Sequence, residues 1–165
     1  GFTPGDVPGV LPLGPAQVGN VICFEVAYDG LVRDTVTSGG QLLAVQTNNA
    51  TFNEAEARQQ LAMVRLRAVE HGRWSVMAST VGVSGFVSPD GRVHHATGFF
   101  TQEIPVRTLG LSDHRTVATT VGWWPELVLT AGAGVGLAYR LWSQWNLARI
   151  RSGRGRTAPV RLRRE

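Results

Sequence analysis

The sequence predicts an α/β fold that ends in one apolar helix. Short apolar runs alternate with segments of helical periodicity, which is the order that builds a sheet with helical crossovers. The apolar segment 123–145 and the arginine-rich segment 146–165 follow, and they differ in composition from the residues before them. With 165 residues, of which 43% are hydrophobic and 17% charged, the chain is long and apolar enough for one globular domain.

Six short runs bounded by turn residues predict the strands of the sheet. They lie at Val18–Phe24, Gln41–Gln46, Ser75–Ser79, Gly85–Ser88, Arg92–His95 and Val106–Leu111. The turn Pro89-Asp90-Gly91 joins the fourth and fifth runs, so these two strands are expected to form a hairpin.

Two helices are predicted between these strands. Ala27–Ser38 ends before a pair of glycines, and Glu54–Arg73 carries an apolar stripe along one face. The stripe consists of Ala57, Leu61, Val64 and Ala68. Gly72 is placed to loosen the last turn of the longer helix.

Residues 123–145 are predicted to form a transmembrane helix. Leu127–Tyr139 is uncharged and rich in small residues, and its flanks extend it to about the 20 residues that span a bilayer. Arg140 lies close enough to one end to reach the interface. Tryptophans occupy both ends, at Trp123, Trp124, Trp142 and Trp145. A buried core helix is the alternative.

The net charge of +4 belongs to the C-terminal segment. Residues 146–165 contain seven arginines and one acid, whereas the rest of the chain is slightly acidic. The charge therefore describes a tail and not a nucleic-acid-binding face, and no nucleic acid partner is expected. Because basic flanks of membrane helices stay on the cytoplasmic side, the tail is predicted to be cytoplasmic and residues 1–122 extracytoplasmic.

Cys23 is the single cysteine, which excludes an internal disulfide and a multi-cysteine zinc site. It ends an apolar run, and reactive groups of α/β folds collect where strands end. A thiol there can act as a nucleophile if its surroundings lower its pKa, although an inert core cysteine fits the same pattern. Glu25 lies two residues on and points to the same side of an extended chain. The four histidines show no metal-ligand spacing and are expected at the surface.

Five segments, in order, carry a resemblance to a known family. They read VICFEVAYDGLVRD, QLLAVQTNNATF, QQLAMVRLRAVEHGR, STVGVSGFVSPDGRV and GWWPELVLTAG. They resemble the apolipoprotein N-acyltransferases of the nitrilase (carbon–nitrogen hydrolase) superfamily, and the match runs from about Pro4 to Trp145 in the same order and spacing. The third segment contains the Arg-x-Arg-Ala-x-Glu core of that family's helix. The resemblance implies the C-terminal part of a nitrilase-like αββα sandwich followed by one transmembrane helix.

The resemblance also implies a reaction. Members form a cysteine thioester with an acyl chain of a membrane phospholipid and pass that chain to the α-amino group of an N-terminal diacylglyceryl-cysteine. Cys23 corresponds to the nucleophile, and the backbone N–H of Phe24 to an oxyanion donor. Glu25 corresponds to a supporting carboxylate. No cofactor is expected; the implied partners are a phospholipid donor, an apolipoprotein acceptor and the membrane.

Two departures from the family pattern set limits on this expectation. The family's triad is Glu, Lys and Cys, yet only 22 residues precede Cys23 and the sequence has no lysine. Arg33 and Arg73 are no substitutes, since arginine stays protonated and differs in shape. The chain alone is therefore expected to be inactive. The second departure is the loop with Asn48 and Asn49, which are expected to contact substrate although the family's aspartate and tryptophan are replaced.

Three interpretations follow from the sequence. The first is a part of a multi-pass acyltransferase of the inner cell membrane. The second is an amidase of the nitrilase superfamily, in which water hydrolyses the thioester. The third is a non-catalytic remnant or partner-binding module, which the absence of lysine favours.

Overall fold

The computed structural model describes residues 5–153, with side chains described through residue 145. The chain divides into two compact units, Gly1–Gly122 and Trp123–Glu165. The first unit contains a sheet and three helices, and the second contains one long helix.

A mixed sheet of six strands organises the first unit. The strands follow one another in space as they do in sequence. They are β1 (Val10–Leu13), β2 (Ala16–Ile22), β3 (Leu42–Thr47), β4 (Ser75–Ser79), β5 (Gly85–Val87) and β6 (Val93–His94). The β2–β3 and β3–β4 pairs are parallel, and the other three pairs are antiparallel. The parallel part requires crossover connections, which the helices supply.

Three helices belong to this unit: α1 (Asp29–Thr37), α2 (Glu54–His71) and α3 (Val117–Val121). The side chain of Asn53 accepts a hydrogen bond from the N–H of Glu56 and so caps the start of α2. Gly72 ends the helix with φ +61°, a left-handed conformation that glycine adopts without strain. The predicted start at Glu54 and the role of Gly72 are confirmed, and the helix ends two residues before the predicted Arg73.

The core lies between the helices and one face of the sheet. Alternate residues of the central strands, among them Val21, Val45 and Met77, are buried against the apolar stripe of α2. The residues between them face the other way and are more exposed. Within the described residues, the structure is thus one mixed sheet with helices on one face, which corresponds to one sheet and one helical layer of the expected αββα sandwich.

Two predictions about strands are wrong. Val106–Leu111 forms no strand, because this stretch pairs with no neighbour and Val106 is 93% exposed. The run Val18–Phe24 ends as a strand at Ile22, and Cys23 already belongs to a turn. The edge strand β1 is not among the predicted runs, because prolines and glycines crowd this part of the sequence. Proline is tolerated there, since an edge strand leaves one row of N–H groups unpaired.

The second unit is the helix α4 (Trp124–Gly153). The predicted helix is present and continues beyond residue 145, while residues 154–165 of the predicted tail lie outside the described residues. Among the described helices, none combines the length and the apolar character needed to cross a membrane, in contrast to the transmembrane helix predicted for residues 123–145. The physical reason is length, because the uncharged stretch Leu127–Tyr139 has only 13 residues between Glu126 and Arg140, short of the roughly 20 that span a bilayer.

Candidate active site

The carboxyl ends of β2, β3 and β4 meet at one edge of the sheet. Cys23 directly follows β2, Thr47 ends β3, and Ser79 ends β4 opposite Thr47 in the register. Because these strands are parallel, residues that follow them collect at the same edge. The prediction that the cysteine stands at a strand end is confirmed in this geometric sense.

The nucleophile candidate lies in a sharp turn. Cys23 begins a 3₁₀ turn, Cys23–Ala27, and has φ +52°, a left-handed conformation that costs a non-glycine residue about 1 kcal/mol or more. Glu25 stands inside this turn and not on an extended chain as expected, because the strand has already ended. Its Oε2 accepts a hydrogen bond from the backbone N–H of Ile22 at 2.7 Å. The carboxylate therefore closes the turn that presents the sulfur.

The Cys23 sulfur is half-buried and surrounded by hydrogen-bond donors. Thr47 Oγ1 lies 3.1 Å from Sγ, and Gln60 Nε2 lies 3.8 Å from it. The Thr47 hydroxyl is the main reason why the pKa of the thiol is lowered; burial opposes this effect, while Gln60 and the backbone N–H groups of Phe24 and Asn48 add to it. A lowered pKa favours the thiolate, which is the nucleophilic form.

A buried network of polar side chains supports these donors. Gln60 Oε1 accepts hydrogen bonds from Thr47 Oγ1 at 3.2 Å and from Asn49 Nδ2 at 2.7 Å. Asn49 Oδ1 accepts a hydrogen bond from Ser79 Oγ at 2.6 Å. Ser79 Oγ in turn accepts a hydrogen bond from the N–H of Gly82 at 2.8 Å. Buried polar groups require such partners, so the network fixes the side chains around the sulfur.

The predicted site residues occupy different positions around this network. Asn49 is fully buried, so its amide does not face solvent and instead bonds to the side chains of Gln60 and Ser79. Asn48 is exposed, and its Oδ1 accepts hydrogen bonds from the Ala50 N–H and from Thr80 Oγ1. The ring of Phe24 is 52% exposed and packs edge-on against Tyr28, with 6.3 Å between the centroids. Of the predicted residues, Cys23, Phe24 and Asn48 can therefore meet a substrate.

Two arginines considered as cationic groups are bound elsewhere. Arg33 Nε donates to the carbonyl oxygen of Thr119 at 2.8 Å, and Arg73 Nε donates to that of Gly40 at 2.9 Å. Neither has a hydrogen bond to Cys23. Within the part of the chain that the structure describes, no group of histidine, cysteine or acidic residues could hold a metal ion.

Sequence reasoning missed the polar members of the α2 face that covers the sheet. Gln60, Arg67 and His71 are buried on the same face as the predicted apolar stripe. The sequence contained a signal for them, because they recur at the helical spacing of the apolar stripe. Polar residues at such positions are buried and need hydrogen-bond partners. The prediction that the histidines lie at the surface is wrong for His71, which is fully buried and whose Nδ1 lies 2.9 Å from Thr119 Oγ1.

The fold and this edge of the sheet define a class: α/β proteins that present a cysteine thiol from a turn after a parallel strand. The model of the carbon–nitrogen hydrolase family matches residues 2–119. The chain therefore belongs to the carbon–nitrogen hydrolase family, and the membership in the nitrilase superfamily expected from the sequence is confirmed.

Two similar relatives carry the same name. The chain is 39% identical to the apolipoprotein N-acyltransferase of Mycolicibacterium smegmatis over 99% of its own length, and that match covers 26% of the relative. It is 30% identical to the enzyme of the same name from Synechocystis sp. over 84% of its length, which is 27% of that protein. The chain thus spans about a quarter of the length of the curated relatives it matches.

Solved structures with a similar fold include an amidase of the nitrilase superfamily from Nesterenkonia sp. AN1. A mutant of this amidase with acrylamide added at its active-site cysteine is 28% identical to the chain, with a TM-score of 0.50. The match covers 59% of this chain and 41% of the amidase.

Proposed function

We propose that this chain is the nucleophile-bearing part of an apolipoprotein N-acyltransferase. The observation that carries the proposal is the 39% identity to the M. smegmatis enzyme along nearly the whole chain. The position of Cys23 supports it, because a thiol with a lowered pKa in a turn after a strand suits covalent acyl transfer. The intact protein acts at the cell membrane, where its lipid donor is.

The reaction has two steps. The Cys23 thiolate attacks the ester carbonyl of a phospholipid; the C–S bond forms, the ester C–O bond breaks, and the lysophospholipid leaves as an alcohol after gaining a proton. The α-amino group of a diacylglyceryl-cysteine then attacks the thioester, so that a C–N bond forms, the C–S bond breaks and a proton leaves the amine. The N–H of Phe24 stabilises the tetrahedral oxyanion in both steps.

The remaining groups of this chain hold the nucleophile and admit the substrate. Glu25 supports the turn through Ile22, and the backbone N–H of exposed Asn48 lies beside the sulfur. The triad implied by the family resemblance also needs a glutamate base and a lysine. We propose that the longer protein supplies both, so the chain alone is inactive.

The test uses the longer protein that contains this chain, reconstituted with phospholipid vesicles whose acyl chains are isotopically labelled. Mass spectrometry of the Cys23 peptide should show the added acyl chain, and a diacylglyceryl-cysteine peptide added later should remove it and become N-acylated. Cys23→Ala should abolish both signals. Absence of a labelled Cys23 peptide with active control enzyme would reject the proposal.

The second candidate is an amidase, which the similarity to the Nesterenkonia enzyme favours. Here the acyl donor is an amide and water cleaves the thioester, so ammonia and a carboxylic acid are released. Ammonia release from short aliphatic amides, without acyl transfer to the lipopeptide, would establish this function. If neither donor labels Cys23, the non-catalytic, partner-binding interpretation replaces both.

A further inference from the structure

The side chain of Gln60 joins α2 to the nucleophile candidate. It is 2% exposed, and its amide stands between the Cys23 sulfur on one side and Thr47 and Asn49 on the other. A buried amide is costly unless its donors and acceptor are used. We propose that Gln60 is a positioning residue, which aims the Thr47 hydroxyl and its own Nε2 at the sulfur of Cys23. This inference rests on the proposed role of Cys23 as the nucleophile.

The orientation of the Gln60 amide is dictated by its neighbours. Ser79 Oγ receives the Gly82 N–H and donates its own proton to Asn49 Oδ1. Asn49 therefore donates from Nδ2 to Gln60, and the Gln60 atom that accepts this hydrogen bond is Oε1. The opposite end of the amide, Nε2, is a donor and faces the sulfur. A series of buried hydrogen bonds thus determines which atom of Gln60 meets Cys23.

The same arrangement lets the Thr47 hydroxyl change partners. Its single proton can go either to Cys23 Sγ, 3.1 Å away, or to Gln60 Oε1, 3.2 Å away. When the thiol is neutral, the hydroxyl can donate to Gln60. When the thiolate forms, the hydroxyl can donate to sulfur, and Gln60 Oε1 keeps its bond from Asn49. No buried acceptor is then left unpaired, so the thiolate is stabilised without the free-energy cost of an unsatisfied buried oxygen.

The variant Gln60→Glu isolates this role. Glutamate has nearly the same shape and keeps an oxygen for Thr47 and Asn49, but it replaces the donor near sulfur by a second oxygen. The matched control is Gln59→Glu, which makes the same change at the adjacent exposed position of α2. Because Cys23 is the sole cysteine of the 165-residue chain, iodoacetamide reports on it without interference.

The experiment measures the alkylation rate of the complete chain against pH. For Gln60→Glu the midpoint of the profile should move up by about one pH unit, which lowers the rate at pH 7 about tenfold. Gln59→Glu should follow the wild type. Far-UV circular dichroism and the rate at the high-pH plateau separate this effect from unfolding, which exposes the thiol. An unchanged midpoint in a folded Gln60→Glu variant overturns the proposal.

A second variant covers the case in which the buried glutamate prevents folding. Gln60→Met is neutral and similar in volume, and it removes both the acceptor and the donor. Its midpoint should also rise, and a wild-type midpoint overturns the proposal as firmly. Alkylation needs no acyl donor, so its outcome is independent of the transfer assay. A raised midpoint in variants of this chain, together with no transferase activity in the longer protein, rejects the proposed function and leaves the positioning role intact.

Discussion

A hydrogen bond between Arg67 and Val26 connects helix α2 to the turn that carries Cys23. Arg67 Nε donates to the Val26 carbonyl oxygen at 2.9 Å, and Nη2 donates to the next carbonyl, that of Ala27, at 3.0 Å. The guanidinium also forms ion pairs with Asp29 and Glu70. A planar cation with five donors can hold two successive carbonyls and two carboxylates at once, so Arg67 fixes the end of the nucleophile turn.

Replacing this arginine should destabilise the fold markedly. Arg67→Met keeps the aliphatic volume but leaves the Val26 carbonyl without its charged donor, and the expected loss is about 3 kcal/mol in the free energy of unfolding. Urea denaturation followed by circular dichroism measures this loss.

The matched control lies on the same helix. Arg58 pairs with Glu54 at the exposed surface, and Arg58→Met should change the free energy of unfolding by at most about 0.5 kcal/mol. Equal losses for the two variants would contradict the role assigned to the Arg67 contacts.

Removal of the Thr47 hydroxyl should raise the pKa of the Cys23 thiol. Thr47→Val keeps the shape of the side chain, while Asn49 still satisfies Gln60 Oε1. Since the Thr47 hydrogen bond is the largest cause of the lowered pKa, the alkylation profile should move to higher pH. Thr37→Val, at a hydroxyl that bonds to the Asp34 carbonyl, is the control and should leave the profile in place. A Thr47→Val profile that matches the wild type would contradict this assignment.

The sequence predicted what depends on local pattern and missed what depends on pairing between distant elements. The apolar stripe of α2 and strand β4 are confirmed because burial imposes its period on the sequence. Cys23 was recognised from its neighbours along the chain. Its partners Thr47 and Gln60 could not be, since they lie 24 and 37 residues away and meet it only through the register of the parallel strands and the tilt of a helix.

His71 should make the protein sensitive to mild acid. Burial, together with the positive charges of Arg67 and Arg73, lowers the pKa of this imidazole, and the nearby Glu70 opposes the shift. The unfolded chain, with an ordinary pKa near 6.5, therefore binds the proton more readily than the folded one. Stability is then complete above about pH 7 and falls as the pH drops below 6.5, by at most about 1.4 kcal/mol for each pH unit.

Urea denaturation at pH 7.5, 6.5 and 5.5 tests this expectation. His71→Gln should flatten the dependence, because the amide does not titrate. His95→Gln, at the exposed histidine that bonds to Glu103, should retain the wild-type slope. The assignment fails if His71→Gln loses stability with acid as steeply as the wild type.

Gly82 should be the glycine of the site that tolerates no side chain. A Cβ there would lie 2.6 Å from Ser79 Oγ and would also overlap Asn49 Oδ1. Gly82→Ala must therefore push apart the two side chains that orient Gln60, and overpacking of this kind typically costs about 2 kcal/mol. Gly30→Ala, in the first turn of α1 with open space around the new methyl group, should leave stability unchanged or raise it by about 0.5 kcal/mol.

The informative comparison is the alkylation profile of the two folded variants. If the contact between Asn49 and Ser79 orients Gln60, Gly82→Ala raises the midpoint of the alkylation profile while Gly30→Ala does not. A destabilised Gly82→Ala variant with a wild-type midpoint would instead show that Gln60 keeps its position without the Asn49–Ser79 contact.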